Sequence, residues 1–384
     1  MKTLRIIFIS LFILILIIPG IVDLIGWKDK TASFENKAEL KKPSFQLDNL
    51  DPYPAKYEAW FNTHFPARNS ILFLYNYFTA RYLHKSPKPE QVTIGNDGWL
   101  YLANYEQQVY TGQLRFSEAE LRQTMDEINY RKKVCDSLGA EYRIVVIPSK
   151  FSIYPEYVPS GIEKYQGLNA TDQFIRAIAS KSSVKYLDLR PVLREEKKSG
   201  MLYMKGDNHW NSRGAFVAYK ALINWLRKDY PLTAPLQESD MHFYDTLQTG
   251  NIISMLGMDK IWHNTFVKAV PLHPLPQHQA VFPDYKCPDG FGYPWEYLDK
   301  RVTADTALPS VLVIRDSFTN IFLREQLSSH FSSSLYVWDK WEHRLNRNII
   351  AGEKPRIVLC VVIESMVDCF KNYPDAPPVQ TPVK

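Results

Sequence analysis

The chain has 384 residues, 45% hydrophobic and 23% charged, with a formal net charge of +5. That is an ordinary globular balance, enough for one large domain or two modest ones. The charge is small for this length and no basic tract occurs, which argues against a nucleic-acid partner. The four cysteines, Cys135, Cys287, Cys360 and Cys369, show no CxxC or Cys/His metal spacing. A disulfide outside the cytoplasm stays open, but spacing alone cannot pair them. Aromatic residues reach 14%, a content that suits stacking on sugar rings as well as packing in a core.

Lys2 and Arg5 precede the run from Ile6 to Ile18, which is apolar except for Ser10. Its length is near the lower limit for a membrane span. It is either a cleaved signal peptide or a retained signal anchor. Large residues such as Trp27 stand where a cleavage site needs small ones, which favours the anchor. In both readings the positive charges stay inside and the rest of the chain lies outside the cytoplasm.

Residues 25–90 read as a polar linker followed by helical pieces punctuated by Pro43, Pro52, Pro54, Pro66, Pro87 and Pro89. The piece from Trp60 to Leu83 is amphipathic and rich in aromatics. Asn96-Asp97-Gly98 is a turn signal between two short strand-like runs, a hairpin pattern. From there strands and helices alternate. Helices are expected at Glu118–Leu138, with Ser117 as N-cap, and at Ala170–Ser180, Ala215–Lys228 and Asn320–Phe331. Strands are expected at Tyr142–Ile147, Val184–Leu189, Val311–Ile314, Leu335–Trp338 and Arg356–Ile363. This alternation predicts an α/β fold with a mostly parallel sheet covered on both faces. Residues 232–305, rich in Pro, His and aromatics, break the rhythm and read as a long insertion or lid. The end from Tyr373 is Pro-rich and reads as a loose tail.

Two constellations carry chemistry. Gly206-Asp207-Asn208-His209-Trp210 lies just before the Ala215 helix, with Asn211 or Ser212 as its cap. In an extended segment Asp207 and His209 would point to one side. The carboxylate could then hold the imidazole in one orientation, and the helix start would favour a neutral base. The plain alternative is an Asp in a turn and a His satisfied in the core. A metal is disfavoured because no third ligand has useful spacing. The second constellation is the apolar run Val311–Ile314 ending in Arg315-Asp316-Ser317-Phe318. Catalytic groups of open parallel sheets gather at the carboxyl ends of strands, and amides at a helix start can receive an oxyanion. The plain alternative is a Ser that only caps the helix. Together the two supply the nucleophile, base and orienting acid of a serine acyl-transfer site: Ser317, His209 and Asp207. Lys150 follows another strand end in Pro148-Ser149-Lys150, and either lines the pocket or is a solvated loop lysine. Arg315 is placed to contact substrate or to pair with Asp316. Phe318 and Trp210 complete the candidate substrate or oxyanion contacts. His242, His263, His273 and His278 receive no role.

These residues resemble the AlgX/AlgJ-like family of polysaccharide O-acetyltransferases, whose SGNH-hydrolase-like domain has Asp-x-His-Trp ahead of the Ser. The resemblance runs from about residue 35 to residue 370. It takes in Glu35-Asn36, Phe65-Pro66-Ala67-Arg68, Gly95-Asn96-Asp97-Gly98-Trp99-Leu100, Pro148-Ser149-Lys150 and Tyr154-Pro155-Glu156. Gly206-Asp207-Asn208-His209-Trp210-Asn211, Gly250-Asn251, Met255-Leu256-Gly257 and Asp316-Ser317-Phe318 complete it. It differs at two places: Arg315 replaces the usual Gly two residues before the Ser, and Asn251 stands where Asp is frequent.

The resemblance implies an SGNH-hydrolase-like, flavodoxin-like sheet flanked by helices, with Ser317 as nucleophile, His209 as base and Asp207 as orienting acid. It implies acetyl transfer to hydroxyls of an exported polysaccharide through an acetyl-serine, without a cofactor or metal, and a membrane-bound O-acyltransferase that delivers the acetyl groups. A polysaccharide acetylesterase and a non-catalytic polysaccharide-binding subunit are the rivals. The expected organisation is an anchor at 1–28, a linker and helical segment at 29–89, a catalytic domain at 90–373 and a flexible tail at 374–384. The catalytic domain is expected outside the cytoplasm, tethered to the inner membrane.

Overall fold

The computed structural model describes residues 2–25, 40–45, 51–65, 68–276 and 278–377. Trp27, Glu35, Asn36, Pro66, Ala67 and the chain beyond 377 lie outside the described residues. Two compact units are present: Met1–Pro89 with Ile253–Trp262, and Glu90–Ile252 with His263–Lys384.

The first unit holds helices α1 (Lys2–Leu24), α2 (Pro52–His64) and α3 (Arg68–Arg81). The aromatic piece expected to run from Trp60 to Leu83 is therefore two helices, one ending at His64 and the next starting at Arg68 on either side of the Pro66 punctuation. In α1 the side chains described without interruption are residues 3–18, all exposed. Among the described residues no helix is long and apolar enough to cross a membrane.

The second unit opens with strands β1 (Val92–Ile94) and β2 (Leu100–Leu102), an antiparallel pair around the Asn96–Gly98 turn. Helices α4 (Tyr105–Tyr110) and α5 (Glu118–Ser137) follow. Ser117 caps α5 in a capping box with Glu120, which satisfies donors the helix start leaves open. The main sheet is built from β3 (Glu141–Ile147), β4 (Lys185–Asp188), β7 (His278–Val281), β8 (Leu298–Thr303), β9 (Ser310–Ile314), β10 (Ser333–Val337) and β11 (Ile357–Ile363). Between β4 and β7, β5 (Met241–Gln248) and β6 (Asn264–Pro271) form a separate antiparallel hairpin. The sheet order is β4-β3-β11-β9-β10-β8-β7. Pairings from β4 through β10 are parallel, and β8 and β7 close the edge antiparallel. The sheet is therefore mixed, and the 232–305 segment is no irregular insertion: it supplies two strands of the sheet and the hairpin. Their half-exposed faces leave only short, broken apolar alternation, which the Pro-rich joins obscure.

β3, β9 and β11 are nearly continuous apolar runs because both of their faces are covered. Val145, Ile147, Val313, Leu359 and Val361 point to one face, under Phe151, Leu193, Phe216 and Leu222. Ile144, Val146, Leu312, Cys360 and Val362 point to the other, under Ile128, Phe174, Ile349 and Phe370. The period of two along a strand produces this division. The covering helices on the first face include α6 (Lys150–Ile153), α8 (Arg190–Glu196) and α9 (Ser212–Leu226); α7 (Ala170–Lys181) joins α5 on the second. The four cysteines are free, and three of them are buried.

Candidate active site

The turn that carries Ser317 grows directly out of β9. After Ile314 the chain leaves the sheet with Asp316 buried, and a single 3₁₀ turn spans Ser317–Asn320. Asp316, not Ser317, is the cap: its Oδ1 accepts from the Phe318 amide at 2.9 Å and its Oδ2 from the Ile363 amide at 3.2 Å. Burial pushes the Asp316 carboxyl up, against the opposing pull of His343, the Phe318 amide, His209 and the Ile363 amide. The helix expected over 320–331 is shorter. Phe322 adopts φ 64°, which interrupts it, and α11 covers only Leu323–Ser328, after the short α10 (Asn251–Met255) earlier in the chain. A non-glycine residue in the left-handed region cannot continue a right-handed helix.

His209 comes from a closed loop. A bridge between Tyr203 and Trp210 shuts its mouth, and the Asn211 amide donates to Leu202 O at 2.8 Å. Asn211 then caps α9, accepting from the amides of Arg213 and Gly214. Inside the loop Asp207 and His209 do meet, but through a turn rather than an extended segment. Asp207 Oδ1 accepts from the His209 amide at 3.0 Å and lies 2.7 Å from His209 Nδ1. Its Oδ2 accepts from the Asn251 amide at 2.8 Å. Burial raises the Asp207 carboxyl, but the hydrogen bond and charge of His209 with the Asn251 and His209 amides outweigh it, so the net shift is down. An ionised Asp207 facing Nδ1 places the ring proton there and leaves Nε2 an acceptor. His209 Nε2 lies 2.8 Å from Ser317 Oγ. Asp207, His209 and Ser317 thus form one hydrogen-bonded chain.

The loop is fixed from outside. Lys150, wholly buried, sends Nζ to the carbonyls of Met204 at 2.9 Å, Lys205 at 3.0 Å and Asp207 at 2.5 Å. Three acceptors use all three protons of an ammonium, and a neutral amine has only two. Burial pulls Lys150 down to about 7, while the Asp207 and Glu106 carboxylates pull it back up. Glu106, equally buried in α4, is pushed up to about 8 by desolvation, with Lys150 and a hydrogen bond to Asn208 opposing. Asn251 holds the neighbouring residue as well: its Oδ1 accepts from the Asn208 amide at 3.1 Å, and its Nδ2 donates to the Asn208 side chain. Gly250 packs so closely that a Cβ there would sit 2.2 Å from Gly206 O.

The four secondary candidates take positions different from those expected. Lys150 is neither solvated nor open to an acidic substrate; its protons are committed to the His209 loop. Arg315 is fully buried: it pairs with Glu296 at 2.8 Å, donates to Asn320 Oδ1 at 2.6 Å and stacks over Trp338. It meets Asp316 only at the main-chain oxygen. The Trp210 indole donates to Phe318 O at 3.0 Å, which ties the His209 loop to the Ser317 turn. The Phe318 ring packs 4.7 Å from the His209 ring and edge-on to Trp210. The Phe318 amide is occupied by Asp316, whereas among the described residues no acceptor holds the Ser317 amide.

Glu106 has no sequence signal beyond an ordinary helical Glu. Gly250-Asn251 was visible only as an element of the family resemblance. A cleft of about 380 Å³ is lined by Ser212 and Asn320, each three residues past His209 and Ser317, and by Phe266, Lys268 and Phe322, while Asp207, His209 and Ser317 themselves are not among its lining residues. Its β6 wall belongs to the hairpin, which is seated on α9 through Phe243 against Phe216.

Residues 92–280 match a family model described as SGNH hydrolase-like domain, acetyltransferase AlgX. That span contains Asp207 and His209 and ends before Ser317. The chain is 26% identical over 221 residues to the probable alginate O-acetylase AlgJ of Pseudomonas aeruginosa, covering 57% of this chain and 50% of that protein. It is 24% identical over 272 residues to the probable AlgJ of Pseudomonas syringae, covering 70% and 64%. The chain thus spans between half and two thirds of the length of these relatives. Among solved structures, Bacillus cereus PatB1 with a sulfonyl adduct superposes with a TM-score of 0.53 at 18% identity, covering 72% of this chain and 96% of that one. A DHHW family protein from Eubacterium siraeum gives 0.51 at 16% identity, covering 75% and 100%. At these identities the superpositions speak for the fold.

Proposed function

We propose, from the premise that this chain belongs to the AlgX/AlgJ-like family, that it transfers acetyl groups to hydroxyls of an exported polysaccharide through an acetyl-serine on Ser317. The observation that carries the reading is the unbroken Asp207–His209–Ser317 chain at 2.7 and 2.8 Å. In the first half-reaction Ser317 Oγ attacks the acetyl carbonyl while its proton passes to His209 Nε2. Asp207 holds Nδ1–H and stabilises the imidazolium. The Ser317 amide faces the developing oxyanion. The tetrahedral intermediate collapses, the donor's leaving oxygen takes the proton from Nε2, and acetyl-serine remains. In the second half-reaction a sugar hydroxyl gives its proton to Nε2 and attacks the acetyl carbon. Collapse breaks the bond to Ser317 Oγ, which recovers the proton.

Water must be kept from the acetyl-serine for transfer to prevail over hydrolysis. The β5–β6 hairpin, as one wall of the cleft, is the shield in this proposal. The cleft takes the acceptor sugar, with Phe266 and Phe322 as apolar surface and Lys268 at its edge. A membrane-bound O-acyltransferase would supply the acetyl groups. The apolar N-terminal helix would tether the chain to the inner membrane, with the catalytic domain outside the cytoplasm.

The test is acetyl transfer from an activated acetyl ester by the purified chain, with and without an oligosaccharide acceptor, alongside Ser317→Ala. Acetyl on sugar that vanishes in the variant supports the transferase. Acetate released to water as fast as to sugar sinks it in favour of an esterase. Polymer binding with no acyl-enzyme, unaffected by Ser317→Ala, favours a binding subunit.

A further inference from the structure

α3 is built inside out. An amphipathic helix ordinarily turns its apolar stripe toward its own protein. Here the buried positions are Asn76, Thr79 and Ala80, and Asn76 Nδ2 donates to Leu256 O at 2.8 Å within the same unit. The outward positions are Ile71 (49% exposed), Leu74 (62%), Tyr75 (58%), Phe78 (55%) and Tyr82 (62%). Their spacing of three, one, three and four residues places them on a single face. Tyr82 keeps that face because its amide still donates to Phe78 O at 3.0 Å. Five large apolar or aromatic side chains in one continuous exposed stripe mark a surface that is covered in use.

Two features select what covers it. First, no Asp or Glu occurs between Glu58 and Glu90, while Arg68, Arg81, Lys85 and Lys88 fall in that stretch. An apolar stripe in a stretch carrying only positive charge is the pattern of a helix that lies in the headgroup region of an anionic bilayer. The two tyrosines, each an apolar ring with a polar tip, suit that boundary. Second, the same chain begins with α1, whose described residues Leu4 to Ile18 are exposed and apolar all round except at Arg5 and Ser10. A helix apolar on every face is a bilayer element or a core element, and among the described residues nothing covers Leu4 to Ile18.

We infer that α3 is an interfacial membrane-binding helix, laying Ile71, Leu74, Tyr75, Phe78 and Tyr82 into an anionic lipid surface as a second attachment beyond α1. The inference shares with the proposed function the premise that the chain is tethered at a membrane. The two can nonetheless fail separately.

The experiment reconstitutes the full chain in vesicles of phosphatidylethanolamine and phosphatidylglycerol that carry a lipid with a photoactivatable acyl chain, and maps the lipid adducts by peptide mass spectrometry. Adducts are expected in residues 68–83 as well as in 2–24. The 68–83 adducts should drop in phosphatidylcholine vesicles, and in a Leu74→Gln, Phe78→Gln variant they should be lost while those in 2–24 stay. The wild-type map needs no variant to fold. Adducts in 2–24 alone would overturn the inference and leave the tether standing. Adducts in neither segment would overturn both. Adducts in 68–83 that ignore the lipid charge and the two substitutions would also overturn it, since they would not come from this face.

Discussion

The Ser317 turn and the His209 loop face each other across one 2.8 Å hydrogen bond, yet they are held in different ways. The turn is shaped mainly by its own residues, with the Ile363 amide and the Trp210 indole as its distant ties. It leaves the end of β9, Asp316 caps it two residues on, and Arg315 reaches Asn320 within the same turn. The loop closes on itself at its mouth, between Tyr203 and Trp210, but its interior is held largely from outside. Its carbonyls point at Lys150, more than fifty residues earlier, and Asp207 is completed by the amide of Asn251, 44 residues later. A nucleophile can be placed by local turn chemistry, whereas a base pair of this kind must be assembled from distant parts of the chain.

On that contrast, the largest losses come from the atoms that meet between the two regions. Ser317→Ala should reduce acetyl transfer by on the order of 10⁶-fold, the scale on which serine nucleophiles fail. Asp207→Asn keeps the shape of the loop but offers Nδ1 the wrong partner, and should cost about 10⁴-fold in kcat. Steady-state rates with an activated ester measure both. An Asp207→Asn enzyme of nearly full activity would mean the loop carries no triad.

Next come the residues that act on the loop from afar. Lys150→Met removes three hydrogen bonds without touching substrate. A misplacement near 1 Å is worth about 10²-fold, and kcat should fall by that order with KM little changed. Gly250→Ala, which drives a Cβ against Gly206 O, should act in the same direction. The pH dependence separates function from stability here. Lys150 falls from 10.5 to about 7 in the fold. Between those values the unfolded chain binds the extra proton, so this group makes stability rise with pH. Over the same range the loop loses its third donor, so kcat should decline as pH passes about 7. Wild type should show activity and melting temperature moving apart, and Lys150→Met should lack the alkaline decline. Parallel pH profiles of rate and thermal unfolding check this.

What could be read from the sequence follows the same contrast. The apolar strands β3, β9 and β11, the Ser117 cap and the Asn96–Gly98 turn were legible because each is set by neighbours within a few residues. So was the strand-end Ser317. Asp207 and His209 were legible as a pair, but their route of contact was not, because an Asx-like turn and an extended segment present the same spacing. Lys150 and Glu106 were opaque: burial of a charge is decided by elements far away in the chain, and a lysine after a strand is ordinarily solvated. β7 and β8 were hidden for another reason, since an antiparallel edge exposed on one side lacks the continuous apolar run of a central strand.

The smallest expected effect on chemistry belongs to Arg315. Its guanidinium is buried beside Glu296 and Trp338 and faces the rear of the turn. Arg315→Met keeps much of the stem's packing while losing the pair and the bond to Asn320. Glu296 remains partly exposed, so it is not stranded as a fully buried charge would be. The loss in stability should be about 1–3 kcal/mol, the scale of buried polar bonds left unmade. Asp316 still caps the turn through the Phe318 amide, so kcat of the folded fraction should change by less than about tenfold, a barrier difference of about 1.4 kcal/mol. Denaturant unfolding and kcat on one preparation give both numbers. A large rise in KM with unchanged stability would instead make Arg315 a substrate contact, and the turn would then depend on more than its own local bonds.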